Sequence, residues 1–448
     1  MHSLFIKLIR EVEIPPILTR YFSGPDFPDQ MPPATIAAYQ KEALREVVNR
    51  AYQYSPYYRQ KMQQAGVGPQ DINEIGDLAR LPFLTKDEMR GSPWQLLACD
   101  RSELSVIHVS TGTTGGEEIY NMYTWRDYFT HELITGYPRL FPVEKDDICF
   151  NALPYEMSSA GLSFHKVFLH GCGAAVINAG KGGAYSTPEK AVKLLRDLQP
   201  TVVITSPSYA ITLYEAAQET GFDLTRLPLR KMWLTGEGCS PAFRSRIENY
   251  WGTRAEFYYG SLECGAIAVE CGAHAGYHIT QAHSLVEIVD PQTGQVLEPG
   301  EVGEIVVTCL LRYDTPLIRY RTQDLGYLEP DPCRCGLTLP RLTLQGRAVD
   351  EIMINGVNFS PYYLEEFLMR QPEVGDWYHF LVRPGNNQQL KIRLELARGI
   401  QPTAGLADRL ASRIGFAVGV PCQVEIVDKM PRPREKTVRV IHEQESAP

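Results

Sequence analysis

Nowhere in the 448 residues is there a run of about 18 uncharged apolar residues, so no membrane-spanning helix is expected. Basic charge is short as well: 44 lysines and arginines face 53 aspartates and glutamates, a formal net charge of -9. Without a basic face, sequence-independent binding to nucleic acid is not expected. Internal repeats and low-complexity tracts are missing too. The first residues, "MHSLFIKLIREVEIPPILTRYF", break their apolar patch with Lys7, Arg10 and Glu11, so no signal-peptide core is expected there. No glycine-rich loop ends in Gly-Lys-Ser/Thr, and no dinucleotide fingerprint is complete; "GKGG" (180–183) and "GEGC" (236–239) are weak nucleotide-loop signals. Ten cysteines read as a disulfide framework only in a small domain behind a secretory signal, which is not the expectation here. Reduced cysteines in a cytoplasm, a few of them on metal, are the expectation.

What is there reads as an ordinary globular α/β protein, 44% apolar and 22% charged, long enough for two or three domains. From 147 to 260 the apolar runs "ICFNALP", "GAAVINAG", "TVVITSPS", "KMWLTGEG" and "AEFYYGS" alternate with helical stretches, which predicts a largely parallel sheet. After Gly272 the pattern turns antiparallel, with "PQTG" and "EPGEVG" as turns. A further change near 346 separates a small α+β domain. The expected organisation is a large domain over 1–346, bearing a metal loop within 264–336, and a mobile domain over 347–448.

Five segments and one cysteine–histidine set carry chemistry. "STGTTGGEE" (110–118) offers the hydroxyls of Ser110, Thr111, Thr113 and Thr114, while Gly112 and Gly115 let amides turn inward as an anion nest. Alone it also reads as a polar hairpin turn. "YYGSLECG" (258–265) sets aromatics before a glycine and an acid; "RYRTQDLG" (319–326) gathers two arginines and an acid, which alone could be a turn ion pair. "GRAVDEIMINGVNFSP" (346–361) joins the two halves, and "PRPREKTVRV" (431–440) carries Lys436, alone a solvated charge. Cys333-Arg-Cys335 sits between Pro332 and Gly336, with Cys271 and His278 upstream in a glycine-rich loop. Three thiolates and an imidazole make a closed tetrahedral Zn²⁺ set, with Cys264 and His274 as nearby substitutes. The alternative is cysteines used as small apolar residues.

In this order the segments resemble the adenylate-forming superfamily, and within it the phenylacetate–CoA ligase family. "SPYYRQKM", "LPFLTKDEMR", "ECGAHAGYHITQAHSLVEIVDPQTG", "TPLIRYRTQDLG" and "DPCRCGLTLPRLTLQGR" follow that family over roughly residues 35 to 445. The resemblance implies ATP-dependent activation of a carboxylic acid, aromatic by preference, to an acyl-adenylate, then transfer to coenzyme A. Transfer to an amine or carrier-protein thiol, or a binding module without turnover, are the alternatives.

Residue by residue, the resemblance assigns Ser110, Thr111, Gly112, Thr113, Thr114 and Gly115 to the β- and γ-phosphates. It puts Tyr259 and Gly260 against adenine, with Gly236, Glu237 and Gly238 lining that pocket. Glu263 takes Mg²⁺ (by itself it could be a helix cap). Asp324 takes the ribose hydroxyls with help from Arg347, and Lys436 bridges carboxylate and α-phosphate. Some family members carry zinc at the matching cysteines. The acyl pocket falls to Tyr155, Met157, Phe164, His165 and Tyr209, a cleft suited to a flat acid. By the same analogy a homodimer is expected, in the cytoplasm to which the cysteines point. The chain departs from the pattern at four places: Gly115-Gly116-Glu117 replaces Gly-Lys-Pro, Leu262 stands where a hydroxyl is usual, Gln323 replaces a glycine, and Val349 occupies the hinge.

Overall fold

The computed structural model describes residues 14–24, 27–91, 93–110, 118–131, 136–383, 385, 387–432 and 437–443. Its centre is a single eleven-stranded sheet. In spatial order the strands are Ala175–Asn178, Ile148–Ala152, Val202–Thr205, Lys231–Thr235 and Ala255–Ser261, all parallel, then Gly265–Glu270, Tyr277–Ile279, Arg341–Arg347, Tyr320–Leu328, Gly303–Cys309 and Ser284–Val289, all antiparallel. The parallel half reads as short, almost uninterrupted apolar runs because helices cover both faces; Val202–Thr205 is buried at every position.

Ser/Thr-Pro pairs begin the crossover helices. Thr187, Ser206 and Ser240 each accept a hydrogen bond at the N-terminus of the helix that follows, from Lys190, Tyr209 and Phe243 amides respectively. Pro188, Pro207 and Pro241 occupy the first helical position, where no amide is needed.

The antiparallel half is continuous with the parallel half rather than an appended layer. The link is the tight turn from Ala255–Ser261 back into Gly265–Glu270. A Cβ on Gly260 would lie 2.3 Å from the Gly265 carbonyl oxygen, so only glycine allows the two strands to close here.

The large sheet ends at Arg347 and a 3₁₀ turn, Ala348–Asp350, follows. Beyond it lie a short hairpin (Ile352–Ile354 with Val357–Phe359) and a four-stranded sheet in the order Cys422–Ile426, Leu390–Leu396, Val374–Val382, Val440–His442. The helices Pro361–Met369 and Leu406–Val418 complete this unit. It packs on the Pro207–Glu219 and Pro241–Trp251 helices; Arg246 donates to the carbonyls of Met369, Gln371 and Val374 at 2.7–2.8 Å. Glu365 and Glu366 accept from the Ser240 and Ala242 amides at 3.1 and 2.7 Å, capping the Pro241–Trp251 helix from the other unit. Among the described residues no helix is long and apolar enough to cross a membrane.

Candidate active site

Ligands of open α/β sheets bind beyond the carboxyl ends of the parallel strands. Here all five parallel strands end at or beside one cavity. Leu153 and Pro154 follow the Ile148–Ala152 strand, Lys181 follows Ala175–Asn178, Ser206 follows Val202–Thr205, Gly236 and Glu237 follow Lys231–Thr235, and Gly260 and Ser261 close Ala255–Ser261. Phe164, Val167, Tyr258 and Leu262 supply its apolar wall.

Glu237 is the charged centre of this cavity. Its carboxylate accepts from Lys181 Nζ at 2.8 Å and from the Ser208 hydroxyl and amide at 2.8 and 3.2 Å. Burial by itself would raise its pKa, but the Lys181 ammonium and these hydrogen bonds outweigh that and hold the carboxyl below its usual range. The Thr437 amide also reaches Glu237, at 3.4 Å, from the far end of the chain.

A second group forms where the hairpin turn meets the antiparallel strands. Asp324 and Arg347 face each other directly across their strand pair, and Arg347 Nε lies 3.5 Å from the Asp324 carboxylate. Tyr259 donates its hydroxyl to the other carboxylate oxygen at 2.7 Å. Burial, reinforced by Asp324, pushes the Tyr259 hydroxyl well above its ordinary pKa, so it stays a proton donor. Arg321 takes no part: it pairs with Glu304 at 2.8 Å. Glu263 is buried in the turn between Leu262 and Cys264, and Arg312 donates to its carbonyl.

Ser110 stands at the base of the hydroxyl-rich loop. Its amide donates to the Ile119 carbonyl at 2.9 Å and its hydroxyl accepts from the Ile119 amide at 3.0 Å, closing a hairpin between Leu104–Val109 and Tyr120–Thr124. Thr111, Gly112, Thr113, Thr114, Gly115 and Lys436 lie outside the described residues.

The five side chains expected in the acyl pocket divide. Phe164 lines the cavity beside Tyr258. Tyr155 and His165 instead share Asn178, at 3.2 and 2.8 Å from its Oδ1, with Asn151 donating to Tyr155 at 2.9 Å. Tyr209 is buried against the parallel sheet, and burial raises its hydroxyl to about 12. Met157 is exposed, while its carbonyl accepts from Val109, tying this segment to the strand before Ser110. Leu262 and Ser261 both line the cavity, although strict alternation would put them on opposite faces; the strand ends at Ser261 and the backbone turns. Sequence reasoning missed Lys181 and Ser208. Only the weak "GKGG" signal pointed toward the lysine.

Some distance along the antiparallel half, Cys271, His278, Cys333 and Cys335 bring their ligand atoms within 4.8 Å of one another. The sulfurs of Cys271 and Cys333 are 3.8 Å apart, and His278 Nε2 is 3.3 Å from the Cys335 sulfur. His278 Nδ1 faces the Leu339 carbonyl at 3.2 Å, which makes it the donor and leaves the Nε2 lone pair toward the thiols. Cys264 and His274 lie elsewhere, against Cys309 and Glu270.

Comparison with known proteins places the chain in a family. Residues 60–309 match the family described as AMP-binding enzyme, and residues 356–444 match the AMP-binding enzyme C-terminal domain. The chain is 32% identical to a phenylacetate-coenzyme A ligase of Escherichia coli, over 90% of this chain and 94% of that one. It is 30% identical to the phenylacetate-coenzyme A ligase of Thermus thermophilus, over 91% and 96%. Among solved structures, a 2-hydroxyisobutyryl-CoA ligase in the postadenylation state, bound to 2-HIB-AMP, superposes with a TM-score of 0.85 at 23% identity, covering 93% of this chain and 91% of that one. The fold and the two family matches define a two-domain adenylate-forming enzyme. The chain belongs to the AMP-binding enzyme family, and its activity is that of an AMP-forming acid–CoA ligase.

Proposed function

We propose that the acid is aromatic, that it lies in the cavity between Phe164, Tyr258 and Leu262, and that the residues gathered around Glu237 and Asp324 handle the nucleotide. The aromatic wall of Phe164 and Tyr258 supports a flat acid, and the contact of Thr437 with Glu237 carries the assignment of the nucleotide, because it brings the residue bonded to Lys436 to the cavity. In the first step a carboxylate oxygen bonds to the α-phosphorus of ATP and pyrophosphate leaves. Two anions must meet, so fixed donors have to offset their repulsion and the charge that develops. Lys436 would donate to both the carboxylate and the α-phosphate, and the 110–115 amides and hydroxyls to the β- and γ-phosphates. Asp324 would accept from the ribose hydroxyls, held in place by Tyr259 and Arg347. In the second step the thiol sulfur of coenzyme A bonds to the acyl carbon and AMP leaves.

Glu263 fits a hard cation: it is a carboxylate, 7% exposed, at the turn that borders the cavity. A magnesium ion bound there with the phosphates would neutralise part of their charge. The Cys271, His278, Cys333 and Cys335 set fits zinc. Tetrahedral ligands at about 2.3 Å put neighbouring sulfurs about 3.8 Å apart, the spacing seen between Cys271 and Cys333, whereas a disulfide requires about 2.05 Å. With four protein ligands no position is open for substrate, so this metal would fasten the loop and take no part in the reaction.

The test is acid-dependent exchange of labelled pyrophosphate into ATP over matched aromatic and aliphatic acids, followed by product analysis with coenzyme A, amines and a phosphopantetheinylated carrier protein. Exchange favouring aromatic acids, with coenzyme A as acceptor, is expected. Preference for a short aliphatic acid would overturn the substrate reading.

A further inference from the structure

Four residues before Lys436, Arg432 is held by both domains at once. Its guanidinium donates to Glu215 twice, Nε to Oε2 at 2.9 Å and Nη2 to Oε1 at 2.7 Å. The same guanidinium donates to Glu395 at 2.9 Å and to the Met430 carbonyl at 3.0 Å, and lies 4.5 Å above the ring of Trp377. Trp377 in turn donates its indole N–H to Glu215 at 2.8 Å. Glu215 lies on the Pro207–Glu219 helix of the large domain; Glu395 and Trp377 lie on strands Leu390–Leu396 and Val374–Val382 of the small one.

The electrostatics make Arg432 the bridge. Without it the Glu215 and Glu395 carboxylates would repel one another across the domain boundary. With it, a planar fork meets Glu215 through Nε and Nη2 and Glu395 through Nη1 and Nη2, an arrangement lysine cannot reproduce. Thr437, bonded to Lys436, meets Glu237 of the large domain. Arg432 and Thr437, the described residues on either side of 433–436, therefore each contact the large domain.

We infer that Glu215 and Arg432 are positioning residues for the first half-reaction: they form a cross-domain lock that, with the Thr437–Glu237 contact, fixes the described residues on either side of 433–436 against the large domain. This rests on the functional reading above. Glu395 and Met430 belong to the same domain as Arg432, so Glu215 is the half of the lock whose loss spares the small domain's own contacts.

The experiment compares wild type with Glu215→Ala and Arg432→Lys. Three readouts are taken: acid-dependent pyrophosphate exchange, thioester formation from preformed acyl-adenylate and coenzyme A, and amide hydrogen exchange over residues 430–437. A lock predicts that pyrophosphate exchange falls about tenfold or more through kcat, with KM for ATP little changed. It predicts that thioester formation stays within about twofold and that 430–437 exchanges faster. Arg432→Lys should show the same pattern more weakly. Both half-reactions falling together would mark a merely structural role and overturn the inference, as would unchanged pyrophosphate exchange. If wild type activates no acid at all, the functional reading fails, and amide exchange alone then decides the lock: unchanged protection in Glu215→Ala overturns it.

Discussion

Glu237 and Lys181 form an ion pair whose side chains are almost wholly out of water, 9% and 4% exposed. Such a pair contributes little net stability, yet removing one member strands the other charge. Glu237→Gln should therefore cost about 3–5 kcal/mol in urea unfolding, and Lys181→Met combined with it should recover part of that loss. The pH dependence has a fixed sign. The native carboxyl is held below its ordinary 4.5, so the stabilisation is complete above that pH and is lost as pH falls through the lowered native value. The stability difference between wild type and Glu237→Gln should accordingly narrow only below about pH 4.5. At Asp324 the expectation is kinetic. Asp324→Asn removes the charge that orders Tyr259 and Arg347 and should raise KM for ATP about tenfold or more, measured by pyrophosphate exchange at saturating acid.

At the scale of the element, the cysteine loop is the clearest case of sequence specifying structure. Cys333-Arg-Cys335 on a Pro/Gly loop is poor core material, and residue type narrowed its partners to Cys271 and His278 with Cys264 and His274 as substitutes; the fold brings the first two to it. The protein should contain about one zinc per chain, and Cys333→Ser should lose it and lower Tm by roughly 5 °C or more, read by metal analysis and thermal melting. The parallel strands were equally legible, because apolar runs between Ser/Thr-Pro helix starts have few other solutions. The turn after Tyr259 was not. Period-two alternation separated Ser261 from Leu262, but alternation stops where the strand stops, and both side chains line one cavity. Lys181 escaped for a different reason. One lysine in a glycine-rich stretch carries no signal until the strand order sets its loop beside Glu237, 56 residues away.

For the whole molecule, function depends on contacts between residues far apart in sequence. Arg432 meets Glu215 across 217 positions and Thr437 meets Glu237 across 200, separations that local patterning cannot reveal. The resemblance supplied the order of the motifs; the sheet supplies the cavity, since every parallel strand ends at or beside it. The small domain, docked through Arg246, Glu365 and Glu366, brings the C-terminal segment to that place. The most direct test of this account is the separation of half-reactions in Lys436→Ala. Acid-dependent pyrophosphate exchange should drop by about three orders of magnitude or more while coenzyme A still discharges preformed acyl-adenylate at a rate near wild type. Undiminished exchange in that variant would contradict the account.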